Sequence, residues 1–258
     1  MYSEKDAREL VIRAGKELVK KELIARTWGN ISARISETQF IITPSGRAYE
    51  DLQEEDLVKV NIADCSYEGD VKPSSEKGIH ADIYALRADA AFIIHTHQHY
   101  ASAICVEGED TDFAPCAGYG LPGTKKLRRE VAEAVRKNLQ SDAFLMERHG
   151  AVVCGKTYEK AFESVNILEE RCKELYESRK KTVSQKAAEQ PYLDDYAQIL
   201  GFGRSPVPDE DAEAIALIRT KNSAAASYAQ KARRMKCLDV LLQHAVYKMK
   251  YSKLKNKQ

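Results

Sequence analysis

The sequence predicts an α/β or α+β domain over about residues 1–180, followed by a helical extension over residues 181–258. Two observations support this prediction. Short apolar and β-branched runs alternate along the first part of the chain with longer segments whose apolar residues recur at helical spacing. Beyond residue 180 the chain becomes polar, and only helical patterns follow.

Five segments of the core domain have the pattern of helices. The first, residues 4–25, places Leu10, Ala14 and Leu18 on one stripe, and Ser3 provides a start signal. The other four cover residues 75–88, 98–106, 124–139 and 158–179. Two further helices are expected in the extension, near residues 211–220 and 224–250, before a lysine-rich tail.

Strand-like runs are short and lie between these helices. They are rich in apolar or β-branched residues and cover residues 31–35, 39–42, 58–62, 91–95, 143–146 and 151–154. A hairpin is expected over residues 64–73. Residues 107–123 contain several Gly and Pro residues, so we expect them to be irregular.

The composition excludes several classes of protein. Lysine plus arginine total 40 and aspartate plus glutamate total 39, so a net charge of +1 gives no support to nucleic acid or an anionic membrane as the main partner. No stretch approaches the roughly 18–20 apolar residues of a membrane span. The beginning of the chain lacks the apolar core of a signal peptide, and the six cysteines form no CxxC pair. We therefore expect a cytoplasmic protein with reduced cysteines.

Three of the six histidines, His95, His97 and His99, lie within five residues. Residues i and i+2 of a strand project to one face, so His95 and His97 can share one ion where the apolar run 91–95 ends. His149 lies between two predicted strands and would have to fold back beside this pair. Three imidazoles suit Zn²⁺ with one open position, although Mn²⁺, Co²⁺ or Fe²⁺ fit the same atoms. His99 follows in a predicted helix, so we expect it outside the ligand set.

Three short polar segments have the composition of an anion-binding site: Gly29-Asn30-Ile31-Ser32, Thr43-Pro44-Ser45-Gly46 and Pro73-Ser74-Ser75-Glu76. Exposed backbone N–H groups, hydroxyls and an Asn amide together can form a phosphate nest, and a helix N-terminus adds its dipole. The segment 118–123 also matches a literal GxGxxG pattern. We reject it as a dinucleotide site, because no strand is expected before it and Pro122 lies inside it.

In their order along the chain, these elements resemble the class II aldolase/adducin family of zinc-dependent sugar-phosphate enzymes. The resemblance covers about residues 5–180 and rests on Trp28 to Ser32, Thr43 to Gly46, Pro73 to Glu76, His95 to His97, and His149 with Gly150. It implies a three-layer α/β/α fold with a mixed, mostly antiparallel sheet, and a homotetramer with active sites between subunits.

The resemblance also implies a role for individual residues. His95, His97 and His149 correspond to zinc ligands, and Glu76 corresponds to an acid/base residue that can also ligate the metal when no substrate is bound. Phosphate binding is implied for Gly29, Asn30, Ser45, Gly46, Ser74 and Ser75.

The implied activity is cleavage of a small ketose 1-phosphate to dihydroxyacetone phosphate and an aldehyde. In such aldolases zinc stabilises the enediolate left when the bond between carbons 3 and 4 breaks, and a carboxylate moves the proton. Glu76 favours an aldolase, then a methylthioribulose-1-phosphate dehydratase, over a pentulose-5-phosphate 4-epimerase, whose branch tends to carry Asp there. A non-catalytic adducin-like scaffold and a metal-binding regulatory module are the alternatives from other classes.

Overall fold

The computed structural model of the chain describes the backbone of residues 1–24, 29–105, 108–120 and 122–189, and the side chains of these residues up to 178. Five α-helices and seven strands form this part of the chain. In order they are α1 (Glu4–Lys20), β1 (Asn30–Arg34), β2 (Gln39–Ile42), β3 (Val58–Asn61), α2 (Lys77–Leu86), β4 (Phe92–Thr96), α3 (His99–Ile104), β5 (Cys116–Ala117), α4 (Lys125–Lys137), β6 (Ala143–Met146), β7 (Gly150–Gly155) and α5 (Tyr158–Glu189). None of the helices in these ranges is long and apolar enough to cross a bilayer.

The seven strands form one mixed sheet in the order β3-β2-β1-β4-β7-β6-β5. Neighbouring strands are antiparallel throughout, except for β5 and β6, which are parallel. Strand β4 lies in the middle, between β1 and β7. The predicted mixed and mostly antiparallel sheet is confirmed.

The sheet separates two apolar cores, which makes the fold a three-layer α/β/α arrangement as predicted. Helices α1, α3 and α5 pack on one face, and α2 and α4 pack on the other. Alternate residues of β4 divide between the two cores, with Phe92 and Ile94 facing the first and Ile93 facing the second. Strand β4 is therefore buried on both faces, which accounts for its continuous apolar sequence.

Helix α1 begins as predicted but ends early. The Ser3 hydroxyl accepts a hydrogen bond from the Asp6 N–H at the first turn. The helix ends at Lys20 instead of residue 25, because Glu22 adopts a left-handed conformation with φ of 58°. The Leu23 N–H then bonds the Leu18 carbonyl and closes the helix end.

Two predictions for the irregular segments were wrong. Residues 64–73 do not pair with each other as a hairpin, since Tyr67 bridges to Val60 and Pro73 bridges to Pro44. A short strand, β5, does precede the GxGxxG segment, because residues 116–117 pair with the edge of β6. The residues of this segment nevertheless make close contacts with other parts of the domain.

Two contacts connect the GxGxxG segment to neighbouring parts of the domain. The Tyr119 N–H donates to the Glu147 carboxylate over 3.0 Å. A Cβ atom on Gly120 would lie 2.4 Å from the Leu127 backbone, so this glycine allows the loop to pack directly on α4.

Helix α5 continues past residue 179, where its end was predicted, to Glu189. It therefore crosses the predicted boundary at residue 180. The predicted helices near residues 211–220 and 224–250 and the lysine-rich tail lie outside the described residues.

Candidate active site

The central strand β4 brings the three predicted metal ligands together. His95 lies on β4 opposite Val152 of β7, and His97 follows directly after the end of β4. His149 immediately precedes β7. Because β7 runs antiparallel to β4, its beginning lies beside the end of β4, so His149 meets the pair although it lies 54 positions from His95 in sequence.

The imidazole Nε2 atoms converge on one point. The Nε2 of His95 lies 3.0 Å from that of His97 and 3.2 Å from that of His149. The Glu76 carboxylate completes the group, with Oε2 3.3 Å from His95 Nε2 and Oε1 3.2 Å from His149 Nε2. Tetrahedral ligands at the about 2.0–2.1 Å typical of Zn–N bonds are about 3.3 Å apart. These donors therefore fit a divalent cation in both chemistry and spacing.

The hydrogen bonding of His95 prepares it as a ligand. Its Nδ1 lies 2.8 Å from the Ala151 carbonyl, which can only accept, so Nδ1 carries the proton and the Nε2 lone pair faces the cluster. Burial lowers the pKa of His95 to about 4 and holds the pKa of His97 well below its ordinary value. Both are therefore neutral near pH 7, the form in which imidazole binds metals.

Glu76 remains ionised in this buried site. It is 8% exposed and lies directly before α2. Burial opposes ionisation, but His149 and His95 beside it, together with the Asn30 amide, hold the pKa of Glu76 well below its usual range. A charged carboxylate next to three imidazoles adds a negative charge to the donor set, which favours a cation.

Two glycines allow the neighbouring strands to close on the end of β4. Gly29 has a φ of 79°, and a Cβ atom there would lie 2.3 Å from the His95 carbonyl oxygen. Gly150 has a φ of 145°, and a Cβ atom there would lie 2.4 Å from the Thr96 carbonyl oxygen. A side chain at either position would push β1 or β7 away from the histidines.

The three predicted anion-binding segments lie side by side, and Thr43 joins them. Its N–H donates to the Ile31 carbonyl, and its hydroxyl accepts from the Ile31 N–H. Its carbonyl accepts from the Ser74 N–H, and the Ser45 N–H donates to the Lys72 carbonyl. The fold therefore gathers the segments containing residues 29–32, 43–46 and 73–76 on one side of the histidine cluster.

The six predicted phosphate-binding residues differ in what they present there. Ser45 and Ser75 are exposed, and Gly46 is partly exposed with a φ of 79°. Gly29 is also partly exposed. Ser74 is buried, and its hydroxyl accepts from the Glu76 N–H over 3.2 Å.

The Asn30 side chain is not placed as expected for a phosphate-binding residue. It is 3% exposed, and both polar atoms of its side chain bond other side chains. Its Nδ2 lies 3.0 Å from Glu76 Oε2, and its Oδ1 lies 2.5 Å from His80 Nε2. The Asn30 side chain thus faces the carboxylate. The sequence contains one indication of this arrangement. Asn30 and Ser32 are polar residues at alternate positions of a buried strand, so their side chains lie on the same face of the sheet.

A second contact that sequence reasoning missed fixes the chain just after His97. The N–H groups of Tyr100 and Ala101, in the first turn of α3, donate to the Glu169 carboxylate of α5 over 2.8 and 3.1 Å. His99 begins this helix, is exposed and lies outside the cluster, as expected.

The comparison with known proteins agrees with this geometry. Residues 9–176 match the profile of the family described as Class II Aldolase and Adducin N-terminal domain. The chain belongs to the class II aldolase and adducin family. A solved member named L-fuculose 1-phosphate aldolase is 30% identical and aligns with a TM-score of 0.59 over 69% of this chain and 87% of its own.

Two curated relatives extend the comparison within the class II aldolase family. A 3-oxo-tetronate 4-phosphate decarboxylase of Pectobacterium atrosepticum is 30% identical over 192 residues, which cover 68% of this chain and 86% of the relative. A 5-deoxy-D-ribulose 1-phosphate aldolase of Bacillus thuringiensis is 30% identical over 210 residues, which cover 76% and 97%. Both names describe lyases that act on small phosphorylated compounds.

Proposed function

We propose that this chain is a metal-dependent aldolase that cleaves a small ketose 1-phosphate to dihydroxyacetone phosphate and an aldehyde. The observation that carries the proposal is the convergence of three imidazole Nε2 atoms and the Glu76 carboxylate beside three joined polar segments. Membership of the class II aldolase family supports it. The proposal includes the homotetramer with active sites between subunits and the cytoplasmic location that the sequence implies.

His95, His97 and His149 would hold the cation, with Glu76 as a fourth ligand before substrate binds. Zn²⁺ is the first candidate, and Mn²⁺, Co²⁺ and Fe²⁺ suit the same donors. Bound there, the cation would stabilise negative charge that develops on the carbonyl and hydroxyl oxygens of the substrate.

The phosphate segments would hold the remote end of the substrate. The proposed donors are the backbone N–H groups of Gly29, Gly46 and Ser75 and the hydroxyls of Ser45, Ser74 and Ser75, because the N–H groups of Ser45 and Ser74 already donate within the fold. Asn30 would contribute through its backbone at the start of β1. Binding energy released at the phosphate fixes the position of the reacting carbons relative to Glu76.

Glu76 would carry the proton that the reaction moves at carbon. When the bond between carbons 3 and 4 breaks, its electron pair stays on carbon 3, and the carbon 4 hydroxyl releases its proton to water as it becomes the aldehyde. Glu76, ionised in the free site, would take up a proton from water and deliver it to carbon 3, and it would remove that proton in the synthetic direction.

A decarboxylase is the second candidate, favoured by the relative in Pectobacterium atrosepticum. Loss of carbon 1 of a 3-oxo-tetronate 4-phosphate as CO₂ leaves the same enediolate of dihydroxyacetone phosphate as cleavage of a ketose 1-phosphate. The same residues therefore suit both reactions, and only the leaving group differs.

A substrate panel tests the proposal. Protein stripped with a chelator is reloaded separately with Zn²⁺, Mn²⁺, Co²⁺ and Fe²⁺, then incubated with ketose 1-phosphates and with 3-oxo-tetronate 4-phosphate. We expect dihydroxyacetone phosphate and an aldehyde, with activity lost on chelation and restored by metal. Release of CO₂ instead would assign the decarboxylase. Absence of dihydroxyacetone phosphate with every metal and substrate would contradict both candidates and leave the dehydratase, the epimerase and the scaffold as alternatives.

A further inference from the structure

Polar side chains fill the interface between α2 and β1, where apolar packing is the usual arrangement. Along β1, Ile31 and Ala33 join the core beneath α1, so the alternate residues face α2. Six buried residues form the interface, Asn30, Ser32 and Arg34 from β1 and Glu76, His80 and Tyr84 from α2 or the residue before it, and none is more than 8% exposed.

The side chains of β1 and those of α2 pair along the interface because the distances between successive side chains match in the two elements. Two residues of a strand advance by about 6.7 Å, and four residues of a helix advance by about 6 Å. Glu76 therefore lies beside Asn30, and His80 beside Ser32. Tyr84 comes last and meets Arg34, whose guanidinium lies 4.8 Å from its ring centroid.

Four hydrogen bonds run along this interface without interruption. Asn30 Nδ2 lies 3.0 Å from Glu76 Oε2, and His80 Nε2 lies 2.5 Å from Asn30 Oδ1. Ser32 Oγ then lies 2.7 Å from His80 Nδ1 and 2.9 Å from the Tyr84 hydroxyl. The chain begins at Tyr84 and ends on the carboxylate proposed to move the proton.

The chemistry of the Asn30 amide sets the direction of every bond. Its nitrogen can only donate, so Nδ2 donates to Glu76 Oε2, and its oxygen, which can only accept, faces His80 Nε2. His80 therefore donates from Nε2. Burial lowers the pKa of His80 to about 3, so the ring is neutral and Nδ1 accepts the Ser32 hydroxyl proton. Ser32 in turn accepts from the Tyr84 hydroxyl.

We propose that His80 is a positioning residue for Glu76, because its Nε2–H holds the Asn30 amide in the orientation that presents Nδ2 to Glu76 Oε2. This inference rests on the proposed function of Glu76. Without that anchor the amide can rotate and place its carbonyl oxygen against the carboxylate. Glu76 would then turn away from the substrate carbon, and a displacement of about 1 Å can cost about 100-fold in rate.

A kinetic comparison of variants with full metal content tests the inference. We expect His80→Leu to lower kcat by about 10–100-fold, the usual effect of losing a partner that orients a metal-site group. KM should change less than about threefold, because the phosphate segments are untouched. His80→Gln should restore kcat to within about threefold, since its amide can donate to Asn30 and accept from Ser32.

Two outcomes of this comparison would overturn the inference. One is a folded, metal-loaded His80→Leu protein with kcat within twofold of the parent, which would make His80 only a satisfied core residue. The other is a His80→Gln protein as impaired as His80→Leu. If His80→Leu does not fold, Ser32→Ala repeats the test, with an expected loss in kcat of about 3–10-fold for one hydrogen bond.

A measurement without substrate separates this inference from the proposed function. In the metal-free protein labelled with ¹⁵N-histidine, nuclear magnetic resonance at pH 7 should show His80 protonated on Nε2 and not on Nδ1. The His80→Gln spectrum assigns the signal by its disappearance. An Nδ1–H tautomer would overturn the inference even in an active enzyme. The Nε2–H tautomer in a protein without lyase activity would leave the interaction in place and reject only the proposed reaction.

Discussion

The candidate site has two halves that are built in different ways. The metal half is the three histidines with the Glu76 carboxylate, and the phosphate half is the set of polar segments 29–32, 43–46 and 73–75. The metal half consists of side chains that are buried or, for His97, partly buried, and His95 and Glu76 are each oriented by further buried groups. The phosphate half consists of backbone turns that present exposed residues such as Ser45 and Ser75. The groups proposed to carry out the chemistry are therefore fixed before substrate arrives, whereas those proposed to recognise it face solvent.

The two halves meet at Glu76. Its carboxylate belongs to the histidine cluster, and its N–H bonds the Ser74 hydroxyl of the phosphate half. If the halves have separate tasks, substitutions in the metal half should lower kcat, and those in the phosphate half should raise KM.

The largest effect is expected from His97→Ala, which removes a proposed ligand at the end of β4. Activity should fall by more than the about 10²–10⁴-fold supplied by a general acid–base group, because the cation is lost as well. Metal content and lyase rate are measured together. The control is His99→Ala, at an exposed position outside the cluster, which should keep its metal. A His97→Ala protein that binds one equivalent of metal with unchanged affinity would contradict the proposed ligand set.

Glu76→Gln should lower kcat by about 10²–10⁴-fold while the three histidines still bind metal, because the amide cannot carry the proton. It should also abolish exchange of the carbon-bound proton of dihydroxyacetone phosphate in D₂O, followed by nuclear magnetic resonance. Glu68→Gln, at an exposed loop position, provides the control. Exchange at the parent rate in Glu76→Gln would assign the proton transfer to another group.

Ser75→Ala should act only on the phosphate half. We expect KM to rise about tenfold, as for one hydrogen bond to a charged group, with kcat within about threefold and metal content unchanged. Ser178→Ala, on the exposed surface of α5, is the matched control. A fall in kcat at constant KM would show that the two halves do not work separately.

The smallest expected effect is on the pH dependence of stability. His80 has a pKa of 6.5 when unfolded and about 3 in the fold, so below pH 6.5 the unfolded chain binds a proton that the native protein does not. Stability should fall as the pH decreases, by about 1 kcal/mol between pH 6.5 and 5.5 from this residue. Urea unfolding of the metal-free parent and His80→Gln should show a shallower pH dependence in the variant. Equal slopes would contradict the assignment of this titration to His80.

Elements with strong local patterns were predictable from the sequence. The apolar run of β4 and the amphipathic pattern of α4 each predicted an element within about two residues of its bounds. Strand β5 was not predictable, because residues 116–117 acquire strand conformation only by pairing with β6. The early end of α1 likewise depends on the backbone conformation of Glu22, for which the sequence carries no strong signal.

The candidate site was likewise predictable only in part. Spacing and resemblance selected His95, His97 and His149, and the fold brings their Nε2 atoms together. The sequence could not show that the Asn30 amide faces Glu76. That orientation requires β1 to pack against α2 in one register, which three-dimensional packing determines.

The sequence separation of the histidines has a consequence for folding as well as for chemistry. His95 and His149 lie 54 positions apart, and α3, β5, α4 and β6 all lie between them. A cation bound by both would act as a cross-link that closes this loop and restricts the unfolded chain, much as a disulfide does. The ion proposed for catalysis would thereby also stabilise the fold by linking the residue before β7 to the central strand β4.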